Sequence, residues 1–421
     1  MNKTTRTDNA ASESDGFAAG DKAVSGKVFA GGDKAALGDG FAVGDGETSS
    51  GTDAADAADS DAFRLRDRSL AAKIIERTKA LGVSAQFMHV CGTHQDTMVK
   101  HGLESVFSEC GIKVIQGPGC PVCVTTPREI ESAIALARAG KTVATFGDMV
   151  RVPGASGSLQ SVREEGGDVR IVYGIDDAVG LARENPELEV VFVAIGFETT
   201  APATASALLA MPPENFYILN CHRWVPPALK ALAELGEVKL DGLIEPGHVS
   251  TIIGTEPYRF LSDAGLPQVV AGFEPIDMLM AVYMLARQVK EGRAEVENEY
   301  SRVVKPEGNT IAMEMLDKVF SHGDCAWRGF PVIPGSKMAL REEFARYDAE
   351  KKFAEELKVV EATVFSEPKG CRCGELLRGL ITPKECPLFS KVCTPGNPVG
   401  PCMVSFEGSC NIEYRYRKRN G

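Results

Sequence analysis

The sequence has no long apolar run and no excess of basic residues, and each absence excludes a class of function. No stretch approaches the ~18 consecutive apolar residues that a membrane span needs. The N-terminal residues are polar, so they lack the apolar segment of a secretory signal. The formal net charge is −12 at pH 7, whereas a nucleic-acid-binding protein presents a basic surface. We therefore expect a cytoplasmic protein without membrane or nucleic-acid partners.

Cysteine is the most informative residue type in the composition. The chain has twelve cysteines in 421 residues. A reducing cytosol keeps most thiols free, so clustered cysteines favour metal or redox chemistry over disulfide staples. Three stand alone and are expected to be small buried hydrophobes: Cys110, Cys221 and Cys325. The other nine lie in two short motifs or in one C-terminal group: Cys91, Cys120, Cys123, Cys371, Cys373, Cys386, Cys393, Cys402 and Cys410.

Residues 1–62 are rich in Ala, Gly, Asp, Ser and Lys and contain a degenerate repeat. Its copies are "FAAGDKAV" from Phe17, "FAGGDKAA" from Phe29 and "FAVGDGET" from Phe41. Each copy has too little apolar surface to offset the cost of ordering the backbone, and three short copies do not make a solenoid. We expect a disordered low-complexity extension. A docking segment for a partner is the alternative.

Buried strands and amphipathic helices alternate along most of the remaining chain. Strands are predicted at 86–90, 113–116, 141–146, 169–174, 189–197, 215–221 and 266–273, and helices between them, such as 68–81 and 126–140. Such alternation predicts an α/β protein with mostly parallel sheets flanked by helices. "GFETTAP" and "GFEPID" echo each other at two strand ends, which indicates two similar lobes.

The length exceeds the ~250 residues that one core usually reaches, so we predict several domains. The first α/β lobe spans 63–160 and carries the CGTH and CPVC motifs. The second spans 161–300, with allowance for a return of the chain to the first lobe near its end. A helical connector, with helices at 309–320 and 336–357, occupies 301–364. A small Cys-rich iron–sulfur domain follows at 365–421.

Polar motifs follow three successive strands of the predicted sheets. "FMHVCGTHQD" carries Cys91 and His94, "VIQGPGCPVC" carries Cys120 and Cys123, and "TFGDMVRVPG" carries Asp148 and Arg151. Because ligands of open α/β sheets bind where the strands end, we expect the first four side chains to approach one cleft.

The CPVC loop has two functional interpretations and a structural one. As a dithiol/disulfide, Cys120 and Cys123 could transfer two electrons. As a metal clamp, they would offer two soft thiolates, with Cys91 as a third metal ligand. They could also be inert thiols in a tight turn. His94 is either a functional neighbour of Cys91 or a hydrogen-bonding residue at a helix start.

The C-terminal cysteines also leave alternatives open. No Cys-x-x-Cys knuckle of a zinc ribbon occurs among them, and a [4Fe–4S] cluster takes four thiolates, which leaves two over. Zinc and structural disulfides are the competing interpretations.

Seven motifs together resemble the HypD family of hydrogenase maturation factors, from about residue 66 to 421. They are "CGTHQDTMVKHGL", "GPGCPVC", "FGDMVRVPG", "GFETTAP", "PGHVSTIIG", "GFEPIDML" and the tail "CRCGELLRG…CPLF…CTPGNPVGPCMVSFEGSC". The order of the motifs is also that of the family. The sequence departs from the family in two ways. The N-terminal extension has no counterpart in the family. Gln95 replaces the acidic or hydroxyl residue that often follows the CGTH histidine, which puts a proton-handling role of position 95 in doubt unless Asp96 takes that role.

The resemblance implies an accessory maturation protein with redox thiols, a scaffold on which the Fe(CN)2CO unit of [NiFe]-hydrogenases is assembled. Its partners would be the small chaperone HypC and the cyanide donor HypE, which works with HypF. Cys91 would hold the iron, His94 would orient a diatomic ligand, and Cys120 and Cys123 would cycle between dithiol and disulfide. The [4Fe–4S] ligands best match Cys373, Cys386, Cys393 and Cys402, with Cys371 and Cys410 as alternates.

Two other functions fit parts of the sequence. A cluster-linked protein disulfide reductase would use Cys120 and Cys123 without carrying iron. A zinc-stabilised interaction protein would use the C-terminal cysteines alone. Glu198, His248 and Glu274 sit at predicted loop starts, where each could support partner docking or cleft polarity or make a structural hydrogen bond.

Overall fold

Two parallel β-sheets with helices on their faces form most of the protein in the computed structural model, which describes residues 67–417. The predicted extension at 1–62 lies outside the described residues. The strands are β1 Ala85–His89, β2 Ile112–Gln116, β3 Thr142–Thr145, β4 Val169–Ile171, β5 Val190–Gly196, β6 Phe216–His222, β7 Gly242–Pro246, β8 Gln268–Ala271, β9 Val296–Asn298, β10 Phe320–Ala326 and β11 Val332–Leu340.

Nineteen α-helices connect and cover these strands within residues 67–417. They are α1 Arg68–Leu81, α2 Gly92–His101, α3 Leu103–Glu109, α4 Pro121–Val124, α5 Pro127–Arg138, α6 Gly147–Val150, α7 Leu159–Glu164, α8 Ile175–Glu184, α9 Ala201–Leu209, α10 Val225–Leu235, α11 Gly247–Ile253, α12 Arg259–Asp263, α13 Pro275–Glu291, α14 Thr310–Val319, α15 Ala349–Lys352, α16 Ala354–Ala362, α17 Cys373–Leu377, α18 Pro401–Val404 and α19 Ser409–Arg417. Short 3₁₀ helices occur at Glu256–Tyr258, Glu342–Tyr347 and Pro383–Glu385. Over this part of the chain, none of the helices is long and apolar enough to cross a membrane.

The strands of the first sheet come from two separate parts of the chain. The first sheet has the order β2-β1-β7-β8-β9 and the second has the order β4-β3-β5-β6, and all strands in both are parallel. The chain therefore leaves the first sheet after β2, completes the second, and returns at β7. The predicted α/β class with parallel sheets flanked by helices is confirmed. The change of sheet precedes β3.

The sequence of each lobe explains its strands and helix starts. All seven residues of β5, "VVFVAIG", are buried, as expected of a parallel strand covered on both faces. Helix α5 begins where the Thr126 hydroxyl accepts the Glu129 N–H at 3.3 Å while the Glu129 carboxylate binds the Thr126 N–H at 2.8 Å. This capping box, with Pro127 in the first turn, ends the CPVC loop at a defined point.

The helix predicted at 336–357 is wrong in its first part. Strands β10 and β11 form an antiparallel hairpin that pairs Phe320 with Leu340, and helical structure begins only after it, with the 3₁₀ helix Glu342–Tyr347, α15 and α16. The hairpin docks on the end of β6, where the Trp224 N–H donates to the Ser336 carbonyl at 2.8 Å and the Asn220 amide donates to the Met338 carbonyl at 2.6 Å. These tertiary contacts override the helical apolar pattern of the segment. The helix predicted at 309–320 is confirmed as α14.

The Cys-rich tail, defined here as the segment from residue 365 onward, packs back onto both lobes. The Ser409 hydroxyl is hydrogen-bonded to the Gln116 amide oxygen at the end of β2. Arg415, on α19, forms an ion pair with Asp96, on α2, at 3.1 Å. A Cβ on Gly374 would lie 2.8 Å from the Gly329 Cα, so the start of α17 also touches the loop after β10. These contacts bring the tail to the carboxyl ends of β1 and β2.

Candidate functional site

The CGTH and CPVC loops touch each other through their backbones. The Gly117 N–H donates to the His89 carbonyl at 2.8 Å, and the Gly92 N–H donates to the Gly119 carbonyl at 3.4 Å. A Cβ on Gly119 would lie 2.3 Å from the Cys91 nitrogen, a separation that no side chain can occupy. Glycine at position 119 therefore permits the close approach that places Cys91 beside the loop of Cys120.

Cys120 and Cys123 form a disulfide at the start of α4. Their Cα atoms are 5.2 Å apart, and both residues are fully buried. The Cys123 N–H donates to the Cys120 sulfur at 3.1 Å, which caps the short helix. A disulfide in this position gives the loop a chemically reducible bond beside Cys91.

Cys91 is a buried thiol whose proton is held tightly. It lies two residues after the end of β1 and is the N-cap residue of α2, with 8% of its surface exposed. Burial, and then the charge of Glu407, raises the pKa of the Cys91 thiol to about 11, although the backbone N–H groups of His94 and Thr93 act against this. A metal that bound this sulfur would have to displace its proton.

Glu407 is a site residue that the sequence analysis did not single out. A Cβ on Gly92 would lie 2.6 Å from the Glu407 Cβ, so the tail lies directly against the residue after Cys91. Burial, and then the charge of Asp148, raises the pKa of Glu407. Asp148 also accepts the Phe406 N–H at 3.2 Å, which links the FGD motif to the tail. The tail sequence "SFEGSC" is the signal that could have pointed to it.

His94 is fixed as a neutral imidazole with one free acceptor. Its Nε2 donates to the carbonyls of Gly272 at 3.0 Å and Ala271 at 3.3 Å, at the end of β8. These acceptors set the tautomer, so Nδ1 carries a lone pair, and this buried atom has no hydrogen-bond partner among residues 67–417. Burial, and then the nearby His89, lowers the pKa of His94 to about 3.

Gln95 and Asp96 have separate structural partners. The Gln95 amide oxygen lies 2.8 Å from His89 Nε2, and burial lowers the pKa of His89 to about 4. Asp96 accepts hydrogen bonds from Tyr416 and Arg415 at 3.1 Å each. Both side chains therefore support the wall of the site, with Asp96 on the surface that faces the tail.

Five of the six tail cysteines line one small cavity. They are Cys371, Cys373, Cys386, Cys393 and Cys410, and the wall is completed by Arg372, Leu376, Leu388, Phe389 and Met403. The Cys371 and Cys373 sulfurs are 3.3 Å apart, and a hydrogen bond with Cys373, and then burial, raises the pKa of Cys371. Cys402 does not line the cavity but interacts with Cys373, Cys410 and Cys371, which do. Within residues 67–417, no three His, Cys, Asp or Glu side chains are arranged to hold a single metal ion.

The disulfide and the tail thiols lie in adjacent elements. Helix α4, which carries the disulfide, packs against α17 and α18, which carry Cys373 and Cys402. The disulfide cysteines and Cys373, Cys393, Cys402 and Cys410 belong to one buried cluster. The disulfide therefore lies between Cys91 on one side and the cysteines of the tail on the other.

The other three residues proposed at loop starts have local contacts. The Glu198 carboxylate accepts the Val225 N–H at 2.9 Å, which caps the start of α10. Glu274 begins α13, and its N–H donates to the Asp277 carboxylate at 3.1 Å. His248 is exposed and stacks on Phe273 at a centroid distance of 3.8 Å, and Phe273 stacks on His94 at 5.0 Å. His248 is thus the one of the three that reaches the site from the surface.

Glu245 is a buried carboxyl on β7 and should make stability depend on pH. Burial raises its pKa from 4.5 to about 8, and neither of its oxygens has a hydrogen-bond partner among residues 67–417. Between these two values the folded state holds a proton that the unfolded state releases, so the contribution to stability falls as pH rises. Glu245→Gln has no such proton. The melting temperature of the variant, relative to that of the parent, should therefore rise from about pH 5 to about pH 8. Glu314→Gln, at an exposed position, should show no such trend, and a constant difference for Glu245→Gln would refute the buried neutral carboxyl.

Comparison with known proteins gives a consistent result over this whole region. The sequence model of the HypD family, described as the hydrogenase formation hypA family, matches residues 67–417. A hydrogenase expression/formation protein of Methanocaldococcus jannaschii is 49% identical, over 85% of this chain and 99% of its own length. The hydrogenase maturation factor HypD of Cupriavidus necator is 42% identical, over 84% of this chain and 96% of its own. The HypD of Escherichia coli is also 42% identical, over 82% and 93%.

Proposed function

The chain belongs to the HypD family of hydrogenase formation proteins, and from this premise we propose that it is the scaffold on which the Fe(CN)2CO unit is assembled. The observation that carries the proposal is the backbone contact between the CGTH and CPVC loops, which sets Cys91 beside the Cys120–Cys123 disulfide. The iron unit is cargo. We propose a HypC-type chaperone as the partner that shares it, and HypE, supplied by HypF, as the cyanide donor.

In this proposal Cys91 anchors the iron. Cyanide and carbon monoxide keep iron low-spin, and a soft thiolate is a suitable anchor for it. The thiol is held ready in its protonated form by burial, and the backbone N–H groups of Thr93 and His94 favour the thiolate once the proton leaves. The free Nδ1 acceptor of His94 gives the site a neutral hydrogen-bonding group whose ring is fixed by two carbonyls.

The Cys120–Cys123 pair supplies the reducible bond. Opening the disulfide consumes two electrons and two protons and leaves two thiols. Because both cysteines are fully buried, a bulky protein substrate cannot reach their sulfurs without local opening of the fold. This burial favours the scaffold over the alternative, an iron–sulfur-linked protein disulfide reductase, which needs its disulfide to meet another protein.

We also propose that the tail holds a [4Fe–4S] cluster. The residues present suit the group because five cysteines line the cavity together with apolar side chains and Arg372, and no carboxylate or imidazole lines it. A cubane spreads four thiolates over four irons, so the ligands need not converge on one point. Such a cluster supplies one-electron transfer when bound. Because Cys402 does not line the cavity, we propose Cys371, Cys386, Cys393 and Cys410 as an alternative to the set Cys373, Cys386, Cys393 and Cys402.

This ligand set differs from the set that the sequence favoured, and paired substitutions separate them. Cys386→Ser removes a ligand in both sets, so the anaerobically purified variant should lose the visible absorbance of the cluster. Cys402→Ser should keep that absorbance if Cys402 is not a ligand. Loss of iron and sulfide in Cys402→Ser as complete as in Cys386→Ser would instead support the set Cys373, Cys386, Cys393 and Cys402.

Complementation tests the function directly. A host that lacks its own HypD should regain [NiFe]-hydrogenase activity when it expresses this chain together with a HypC-type chaperone from the same source. A disulfide reductase would not depend on Cys91, so Cys91→Ala should fail in the same host only if the scaffold function is right. Full activity with Cys91→Ala would support the alternative.

A further inference from the structure

Arg328 is a buried cation at the junction between the disulfide helix and the tail. It follows β10 and is 2% exposed. Its N–H donates to the Val124 carbonyl at 2.9 Å, and its Nε donates to the Thr125 carbonyl at 3.0 Å. These carbonyls follow Cys123 immediately, so the guanidinium is attached to the end of the helix that bears the disulfide.

The guanidinium is also attached to the tail. Its Nη1 forms an ion pair with Glu367 at 2.5 Å. The adjacent Gly329 has a φ of +80°, and a Cβ there would lie 2.3 Å from the Gly374 Cα, beside Cys373. The positive charge of Arg328 acts on Cys402 as well. Arg328 therefore contacts both the segment that follows Cys123 and the tail, and the loop that carries it packs closely against Gly374.

The charge of Arg328 is incompletely balanced. Glu367 is its one carboxylate partner among residues 67–417, and the Glu367 side chain is 30% exposed, so water screens it. The Nη2 group is buried and has no hydrogen-bond partner within that range. A buried guanidinium with a free donor favours any state in which negative charge develops nearby.

Reduction of the disulfide gives such a state when one of the two sulfurs remains a thiolate. The bond between the Cys120 and Cys123 sulfurs breaks, two electrons enter, and two protons are taken up, or one proton if one sulfur remains a thiolate. With dithiothreitol as the reductant, both electrons and both protons come from its thiols, and it leaves as a cyclic disulfide. Cations beside a cysteine stabilise its thiolate and so raise the reduction potential of the pair.

We propose that Arg328 is the positioning residue that sets the reduction potential of the Cys120–Cys123 pair. The inference rests on the proposed redox role of this pair and adds the group that tunes it. Substrate and iron need not touch Arg328, since it acts through the helix that carries the disulfide.

The test measures the thiol–disulfide equilibrium of the purified, cluster-containing protein in anaerobic dithiothreitol buffers. The reduced fraction is read by alkylation and mass spectrometry of the peptide that contains Cys120 and Cys123. Arg328→Met should lower the equilibrium constant for reduction at least tenfold, which is 29.6 mV for a two-electron couple. Arg328→Lys should stay within about threefold of the parent because the charge remains.

Two further variants distinguish an electrostatic role from general damage. Glu367→Gln removes the counter-charge and should move the equilibrium the other way, about threefold towards the reduced pair. Arg170→Met, on the exposed edge strand β4, removes the same charge far from the disulfide and should change nothing. Opposite shifts from Arg328→Met and Glu367→Gln are not expected from a loss of packing.

Each outcome decides the inference. If Arg328→Met folds and stays within twofold of the parent, the inference is overturned. If Arg328→Met does not fold, Glu367→Gln decides: a shift towards the reduced pair supports the role of the charge, and no shift overturns it. If the parent pair shows no reversible two-electron equilibrium, the proposed redox function itself fails, whatever the variants do.

Discussion

Cys91→Ala is expected to abolish any iron carried with a HypC-type chaperone, because the substitution removes the thiolate that we propose as the anchor of the metal. The fold should survive, since the Cys91 sulfur does not cap α2. Elemental analysis of the co-purified complex, corrected for cluster iron by sulfide content, measures the loss. The expected result is a drop from near one extra iron per chain to none, with a melting temperature close to that of the parent.

Cys110→Ala is the matched control for this substitution. Cys110 is a second buried free cysteine, at the end of α3, where its surroundings are those of a packed core. Removing its sulfur should cost some stability and leave the extra iron in place. Equal iron in the Cys91→Ala and parent complexes would refute the assignment of Cys91 as the anchor.

Gly119→Ala should separate the two loops of the site. The added Cβ would lie 2.3 Å from the Cys91 nitrogen and from the carbonyl carbon and oxygen of Val90, which are all backbone atoms and cannot swing aside. We expect a loss of unfolding free energy of about 3 kcal/mol, at the upper end of the usual cost of overpacking. Iron carried with the chaperone should fall with it, because Cys91 and the disulfide no longer adjoin.

Gly180→Ala is a control for which the opposite change in stability is expected. Gly180 lies within α8, and a Cβ there would meet no atom within 4 Å. Alanine at this position should therefore raise stability by up to about 1 kcal/mol through helix propensity. Chemical denaturation of both variants compares them directly. A Gly119→Ala protein as stable as the parent would show that the two loops are not in contact.

The sequence was sufficient for the features that depend on local patterns. The seven buried residues of β5 and the alternation of strands with helices predict parallel sheets, and the motifs that follow β1 and β2 predict a site at their ends. The prediction of parallel sheets succeeds because parallel strands need coverage on both faces. The site at the common edge of β1 and β2 stays a prediction.

Features that depend on tertiary contacts could not be predicted from local sequence patterns. Strand β7 reads "GLIEP", with Gly, Glu and Pro in five residues, and it forms a strand because it is central in the first sheet. The β10–β11 hairpin is stabilised by its contacts with β6 rather than by its own pattern. The close approach of Glu407 to Gly92 joins residues more than three hundred positions apart, so no spacing rule could have indicated it.

The tail shows the same limit within a motif that was recognised. Spacing alone gives no reason to prefer one set of four cysteines among six. In the structure Cys371 and Cys410 line the cavity and Cys402 does not, and the paired substitutions test which cysteines are ligands. Which sulfurs face a common cavity depends on how α17, α18 and the intervening loops pack, and the resemblance does not encode that packing.

Infrared spectroscopy of the complex between this chain and a HypC-type chaperone tests the central claim most directly. The claim is that Cys91, held against the Cys120–Cys123 disulfide, carries iron with cyanide and carbon monoxide bound. The account predicts sharp bands of metal-bound cyanide and carbon monoxide that shift with ¹³C labelling and are missing from the Cys91→Ala complex. A well-folded complex that contains iron at this site but shows neither band, or one whose bands persist without Cys91, would contradict it.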